Sequence, residues 1–150
     1  MKKIVFFIPL LVLTVFTTSC NSQETNKPSN QTGNAVLVEN QAETTVHKNV
    51  SANEFKQLIA NGDVVVVDVR TPNEYAQGHI KGAKLINLYD PNFNAQIAQL
   101  DKGATTLVYC RSGRRSASAM RKMKSAGLNT VYNLSGGLGA WMSSGGQVVR

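Results

Sequence analysis

Several residue patterns that assign a function by themselves are absent from this sequence of 150 residues. It has no Cys-x-x-Cys pair, and its two histidines, His47 and His79, stand apart from each other and from both cysteines. No spacing typical of metal ligands exists. Aromatic residues make up 7% of the chain and no RNA- or DNA-binding motif is present, which argues against a nucleic-acid partner. The sequence therefore predicts no metal, no cofactor and no nucleic acid.

An apolar run long enough to cross a membrane is also missing. The run Ile4–Phe16 has 13 residues, whereas a transmembrane helix needs about 20. Lys2 and Lys3 precede it and small residues lead into Cys20, so residues 1–19 are predicted to be a secretory signal peptide. The segment resembles a bacterial lipoprotein signal, which implies that Cys20 takes the lipid and becomes the mature N-terminus. A plain signal peptide and an uncleaved anchor are the alternatives, and all three place the chain outside the cytosol.

Residues 20–46 are rich in Asn, Gln, Thr and Ser and contain one short apolar cluster. Such a segment cannot bury enough surface to offset its chain entropy. We therefore expect a flexible linker over 20–46 and a folded domain over 47–148, which is exported and attached through its lipid to a bacterial membrane. The domain is expected in the periplasm or on the outer face.

Strands and helices are predicted to alternate along the domain, which favours a parallel sheet covered by helices on both faces. Runs of β-branched and apolar residues predict strands at Val64–Val69, Lys84–Leu88, Thr105–Tyr109 and Thr130–Leu134. Capping boxes predict helices that begin after Ser51 and Thr71. Other helices are expected over Asn92–Leu100, from about Ser116 to Gly127, and over Gly136–Ser144. Gly62 is predicted to end the first helix as a left-handed cap.

Cys110 lies at the junction between a predicted strand and a predicted helix, where sites of parallel sheets are found. Gly113 lets the backbone amides turn inward, and the helix is expected to start near Ser116. A helix N-terminus and nearby arginines lower the pKa of a thiol, so a thiolate is expected at neutral pH. Arg111, Arg114 and Arg115 of the same stretch favour a basic pocket for a small anion. The alternative is a buried, inert cysteine.

Spacing separates three kinds of nucleophile chemistry. Phosphatase loops of the Cys-x5-Arg type need an arginine six positions after the cysteine, but that position is Ser116. A cysteine-protease dyad needs a histidine base, and His79 lies far away in the sequence. A persulfide carries one sulfur atom on the cysteine, and it needs only a compact cradle of amides.

The loop "CRSGRRS", which begins at Cys110, resembles the active-site loop of rhodanese domains. The stretches "DVRTPNEYAQGHIKGAKLIN" (Asp68–Asn87) and "LSGGLGAW" (Leu134–Trp141) resemble two further motifs of that family, in the same order. The resemblance implies an α/β rhodanese-like fold with a five-stranded parallel sheet and helices on both faces. It also implies a single-domain sulfurtransferase of the thiosulfate:cyanide type.

The resemblance further implies roles for the site residues. Cys110 would attack the outer sulfur of a small anionic donor such as thiosulfate, and the resulting persulfide would pass its sulfur to cyanide or a thiol. The expected substrate-binding residues are Arg111, Ser112, Gly113, Arg114, Arg115 and Ser116.

Asp68 and Arg70 end a strand beside this loop, and we expect them to support it through an ion pair or hydrogen bonds rather than to take part in the chemistry. Glu74 is expected to cap its helix and to pair with Arg70, while His79 is expected to anchor its own turn. A non-catalytic persulfide carrier or redox-sensing module that binds a partner protein is an alternative function. A phosphatase or arsenate reductase on the same fold is the other.

Overall fold

The computed structural model describes residues 44–150, along which strands and helices alternate. The signal peptide, Cys20 and the linker up to residue 43 lie outside these residues. The strands are β1 (Val46–Val50), β2 (Val64–Asp68), β3 (Lys84–Leu85), β4 (Thr105–Tyr109) and β5 (Thr130–Leu134). The helices are α1 (Ala52–Ala60), α2 (Pro72–Gln77), α3 (Phe93–Ala98), α4 (Arg114–Ser125) and α5 (Gly137–Ser143).

The five strands form one parallel sheet in the order β1-β5-β4-β2-β3, so the predicted α/β class and five-stranded sheet are confirmed. Strand β4 is central, and Val108 pairs with Val67 of β2 on one side and with Asn133 of β5 on the other. Parallel strands end at the same edge of a sheet. Cys110, Asp68 and Leu134 therefore come together at the carboxyl edge.

Helices cover both faces of the sheet, as predicted. On one face, Phe93 and Ile97 of α3 pack with Met123 of α4 against Val67 and Val108. The other face is covered by buried apolar side chains of α1 and α5, namely Phe55, Leu138 and Trp141, which pack with Leu107 and Tyr109. Successive residues of β4 thus enter opposite cores, as the pleat of a strand requires.

Both predicted capping boxes are present. The Ser51 hydroxyl accepts a hydrogen bond from the Glu54 amide, and the Glu54 carboxylate accepts one from the Ser51 amide; Thr71 and Glu74 repeat this exchange at α2. His79 anchors its own turn as expected, because its Nδ1 atom lies 3.2 Å from the Tyr75 carbonyl oxygen and the two rings stack. Across residues 44–150, no helix is long and apolar enough to cross a bilayer, and no metal-binding cluster of side chains occurs.

Four expectations about the elements need correction. Strand β1 was not predicted, and it begins one residue before the expected domain boundary. Helix α1 ends at Ala60 with a right-handed Asn61, so Gly62 is not a left-handed cap. Regular pairing in β3 stops at Leu85, although the amides of Ile86 and Leu88 still donate to the Asp68 and Val69 carbonyls.

Helix α4 begins at Arg114, two residues before the predicted start at Ser116. Gly113 takes the N-cap position with φ +90°, a conformation that glycine adopts without steric cost. The turn between β4 and α4 is consequently tighter than the sequence suggests.

Candidate active site

Cys110 directly follows the central strand, and it is only 1% exposed. The left-handed Gly113 turns the backbone back over the thiol, so that the Gly113 amide donates a hydrogen bond to Sγ at 3.1 Å. The Ser116 hydroxyl, in the first turn of α4, lies 3.4 Å from the same sulfur atom. The loop and the helix start therefore surround Sγ with donors.

The pKa of the Cys110 thiol is the balance of two opposing effects. Burial raises it, while the hydroxyl and amide of Ser116 and the amides of Ser112 and Gly113 lower it, and the net shift is downward. Donors that point at a sulfur atom stabilise its charged form more than its neutral form. Cys110 is thus a buried cysteine whose surroundings favour the nucleophilic thiolate.

A second set of hydrogen bonds stabilises the turn through the Gly113 carbonyl oxygen. The Gly113 carbonyl accepts from the Ala117 amide at 3.0 Å, the Ser116 hydroxyl at 3.1 Å and the Asn133 side-chain amide at 3.4 Å. A serine hydroxyl has one proton to donate, so Ser116 bonds either the carbonyl or the sulfur atom. A thiolate draws that proton toward itself because bonds to ions are the stronger ones.

The N-terminus of α5 closes the loop from the opposite side. The Leu138 amide donates to the Cys110 carbonyl at 2.8 Å. Gly137 has φ +57°, and a Cβ atom there would overlap the Cys110 carbonyl oxygen and come within 2.7 Å of the Arg111 carbonyl carbon. Only glycine allows this close approach, which explains the second glycine of the "SGG" sequence at residues 135–137.

Asp68 and Arg70 form the buried ion pair that the sequence predicted. Arg70 Nη2 lies 2.6 Å from Asp68 Oδ2, and it also donates to the Gly78 carbonyl at 2.8 Å. The Arg70 guanidinium stands 5.7 Å from the centre of the Tyr109 ring. These contacts of Arg70 join the end of β2 to Tyr109 of β4 and to Gly78 at the end of α2. The geometry fits a supporting role.

Glu74 pairs with Arg115 rather than with Arg70, which corrects the expected partner. Arg115 Nη1 and Nη2 donate to the two carboxylate oxygens of Glu74 at 2.8 and 2.6 Å. This bidentate pair lowers the pKa of Glu74 from 4.5 to about 2, with a further contribution from the Thr71 cap. Glu74 therefore compensates the charge of Arg115, whereas the sequence predicted that Arg115 binds a small anion.

Arg111 and Arg114 are exposed, and within residues 44–150 neither takes part in an ion pair. They border two depressions that share Ser112. Arg111 lines one of about 570 Å³ together with Arg70, Glu74 and the exposed Met142. Arg114 lines the other, of about 500 Å³, which includes Arg115, Leu88 and the exposed Tyr89. The cationic charge open to a ligand thus lies at the rim of the loop.

Sequence reasoning missed three contributors to this geometry: Asn133, Tyr89 and Met142. Asn133 is a buried polar residue in an apolar strand, and that pattern is a usable signal because buried amides need partners. Tyr89 and Met142 give no signal in the sequence, since their exposure depends on the fold.

Comparisons with known proteins agree with the fold and the motifs. The rhodanese-like domain family matches residues 51–144. An uncharacterized protein of Synechocystis is 35% identical over 107 residues, which cover 71% of this chain and 59% of that protein. The thiosulfate sulfurtransferase GlpE of Shewanella oneidensis is 35% identical over 94 residues, which cover 63% of this chain and 91% of GlpE.

Among solved structures, a rhodanese-related protein of Thermoplasma volcanium superimposes with a TM-score of 0.60 at 28% identity. The match covers 68% of this chain and 97% of that protein.

The donors around Cys110 lead to a first prediction. Replacing Ser116 by alanine removes one donor to Sγ, so the pKa of Cys110 should rise, since the thiolate loses a hydrogen bond of the kind that contributes roughly 1.5–3 kcal/mol. The rate of Cys110 alkylation by iodoacetamide, measured against pH, gives that pKa. Ser118→Ala is the control, because the Ser118 hydroxyl donates to the Arg114 carbonyl and not to Cys110. Identical alkylation profiles for both variants would contradict the assignment.

The bidentate pair leads to a second prediction. Glu74 has its pKa lowered to about 2, so its stabilisation is complete above pH 4.5 and is lost as the pH falls through about 2. Glu74→Gln should lower the free energy of unfolding at pH 7 by about 2 kcal/mol, a figure reduced for partial exposure. Denaturant titrations at several pH values measure the loss, which should shrink below pH 4.5.

Glu54→Gln is the matched control for Glu74→Gln. Glu54 occupies the same position of a capping box, but its cation is an exposed Lys48 at 3.4 Å instead of a bidentate arginine. Equal losses of stability at pH 7 in the two variants would show that the pair with Arg115 adds nothing to the cap.

Proposed function

The chain belongs to the rhodanese-like domain family, and from this membership we propose that it transfers sulfane sulfur through a Cys110 persulfide. The observation that carries the proposal is the pair of donors, the Gly113 amide and the Ser116 hydroxyl, directed at a buried sulfur atom. Relatives that carry the name thiosulfate sulfurtransferase support a small anionic donor. The exposed Arg111 and Arg114 lie where such an anion would approach.

The proposed reaction has two half-reactions. The Cys110 thiolate attacks the outer sulfur of thiosulfate, an S–S bond forms to Sγ, and sulfite leaves with the electron pair of the broken bond. Cyanide or a thiolate then attacks the outer sulfur of the persulfide, and Cys110 leaves as a thiolate. No oxidant, metal or cofactor is consumed, and the enzyme form alternates, so ping-pong kinetics are expected.

The position of Arg115 supports sulfur transfer over phosphoryl transfer. A phosphoryl group carries charge on three equatorial oxygens and needs cations directed at them. Arg115 lies in the first turn of α4, and both of its terminal nitrogens already bond Glu74. A single sulfur atom on Sγ needs no such cation, because the loop amides and the Ser116 hydroxyl can stabilise it.

A third prediction tests the chemistry. In a Cys20→Ser background, incubation with thiosulfate should add the mass of one sulfur atom to the protein, and subsequent cyanide should remove it as thiocyanate. Cys110→Ser should show neither change. Intact-mass spectrometry and a thiocyanate assay measure the two half-reactions separately. Absence of the adduct would overturn the proposal, whereas an adduct that neither cyanide nor a small thiol removes would favour a persulfide carrier.

We also propose export and lipid attachment at Cys20, on the strength of the signal-like sequence in residues 1–20 alone. The fourth prediction is that a radiolabelled fatty acid is incorporated into the native chain in a bacterial host and not into Cys20→Ala, which should be recovered with soluble proteins after lysis. Cys110→Ala is the control, since it also removes one cysteine. Label in the Cys20→Ala variant, or no label in the native chain, would contradict the proposal.

A further inference from the structure

The outward face of α4 carries exposed cations at its first residue and again in its second half. Arg114, Arg121 and Lys122 are exposed on this face, Ser118 lies between Arg114 and Arg121, and Ser125 follows Lys122. These five residues recur at the three- and four-residue spacing of one helical stripe, and we call them the α4 stripe. The buried face of the helix consists of other residues, Ser116, Ala119 and Met123.

The charges of the α4 stripe have no acidic partner in the part of the chain that the structure describes. Among residues 44–150, the ion pairs are Lys48–Glu54, Arg70–Asp68 and Arg115–Glu74, and none of them includes a stripe residue. The Arg121 guanidinium donates a hydrogen bond to the Ser118 hydroxyl on its own helix. Helix α3, which packs beside α4, has the uncharged sequence FNAQIA. An uncompensated row of cations invites an anionic partner.

Most of the α4 stripe lines a groove that adjoins the depression at the active-site loop and shares Ser118 with it. A depression of about 520 Å³ between α3 and α4 is lined by Asn94 and Ile97 together with Ser118, Arg121, Lys122 and Ser125. Ser118 also lines the depression at the active-site loop. From residue 114 to residue 125 the helix rises about 16 Å, given 1.5 Å per residue.

A small anion at Cys110 cannot account for the far half of this groove. Arg121 is two helical turns beyond Arg114, about 10 Å along the axis. Thiosulfate held at the loop would be out of hydrogen-bond reach of Arg121 and Lys122. The occupant must therefore be longer than the donor.

We propose that the α4 stripe docks an extended acidic segment of a protein that carries the acceptor thiol. The inference rests on the proposed sulfur transfer and names its acceptor. Carboxylates of the segment would pair with Arg121 and Lys122 while its cysteine reaches the loop. Its thiolate attacks the outer sulfur of the persulfide, the bond to Sγ breaks, Cys110 leaves as a thiolate, and the acceptor departs as a persulfide.

A lipid surface fits the stripe less well than a protein segment. Helices that lie on membranes expose an apolar face beside their basic one, whereas Met123 and Ala119 of α4 are buried in the core. The stripe also lines a groove between two helices, which matches the width of an extended chain better than a bilayer plane.

The test compares acceptors and charge reversals in the full-length Cys20→Ser chain after loading with thiosulfate. Two ten-residue peptides each contain one cysteine, and they differ only in whether the other polar positions are Asp and Glu or Asn and Gln. Sulfur transfer to each peptide is measured as kcat/KM at low salt. Arg121→Glu/Lys122→Glu is compared with Lys81→Glu/Lys84→Glu, which changes the net charge equally at exposed positions that take part in no ion pair among residues 44–150.

The native chain should prefer the acidic peptide by about tenfold, which is the range that two favourable ion pairs provide. Arg121→Glu/Lys122→Glu should abolish the preference, the control pair should retain it, and loading from thiosulfate should be the same in all three proteins.

Normal loading without a peptide preference would overturn the docking proposal alone, and failure to load would overturn it together with the proposed function. An equal loss of the peptide preference in both double variants would show that the net charge of the protein, and not docking on the stripe, causes the preference. If Arg121→Glu/Lys122→Glu lost loading from thiosulfate to the same extent as it lost transfer to the peptide, the stripe would attract small anions and would not dock a protein segment. In a further outcome, the native chain binds phosphatidylglycerol vesicles and shows no peptide preference. If Arg121→Glu/Lys122→Glu removed that binding, the partner of the stripe would be a lipid surface and not a protein.

Discussion

Cys110 is held from two sides, through its sulfur atom and through its carbonyl, and the geometry of the whole site depends on that constraint. On one side the Gly113 amide bonds the sulfur atom, and on the other the Leu138 amide bonds the Cys110 carbonyl. Helix α5 can approach so closely because Gly137 has no side chain. The ends of β4, α4 and α5 thus converge on one residue, and the inward direction of the loop amides follows from their convergence.

The carboxylates near the site divide its arginines into two groups. Asp68 holds Arg70 in the interior, and Glu74 holds Arg115 between α2 and α4. The Glu74–Arg115 pair joins two helices across 41 positions of the sequence, and the paired Arg70 also donates to the Gly78 carbonyl. Both pairs therefore stabilise the frame of the site rather than its ligand. Arg111 and Arg114 have no such pair in residues 44–150, and they determine the positive potential at the entrance.

Local sequence signals predicted the parts of the fold that local physics determines. The capping box at Thr71 and the apolar run of β2 fixed where those elements lie, because each needs only its neighbours in the chain. Strand β1 was missed since its Lys48 and Asn49 face solvent at the sheet edge, which gives no apolar pattern. The start of α4 was placed at Ser116, a preferred capping residue, whereas tertiary contacts select Gly113. The Glu74–Arg115 pair joins residues 41 positions apart, and no spacing rule reaches that far.

The depth of Cys110 restricts the shape of whatever reacts with it. At 1% exposure, its sulfur atom can be reached by a slender terminal atom and not by the flat surface of a protein. In the proposed cycle, the added sulfur would lengthen the reactive side chain by one S–S bond, about 2 Å. The thiolate form would therefore select for small donors, whereas the persulfide form would offer its outer sulfur to acceptors that cannot reach Sγ. The same cysteine would thus have two reactive forms that differ in access, and the bound sulfur atom itself would convert one form into the other.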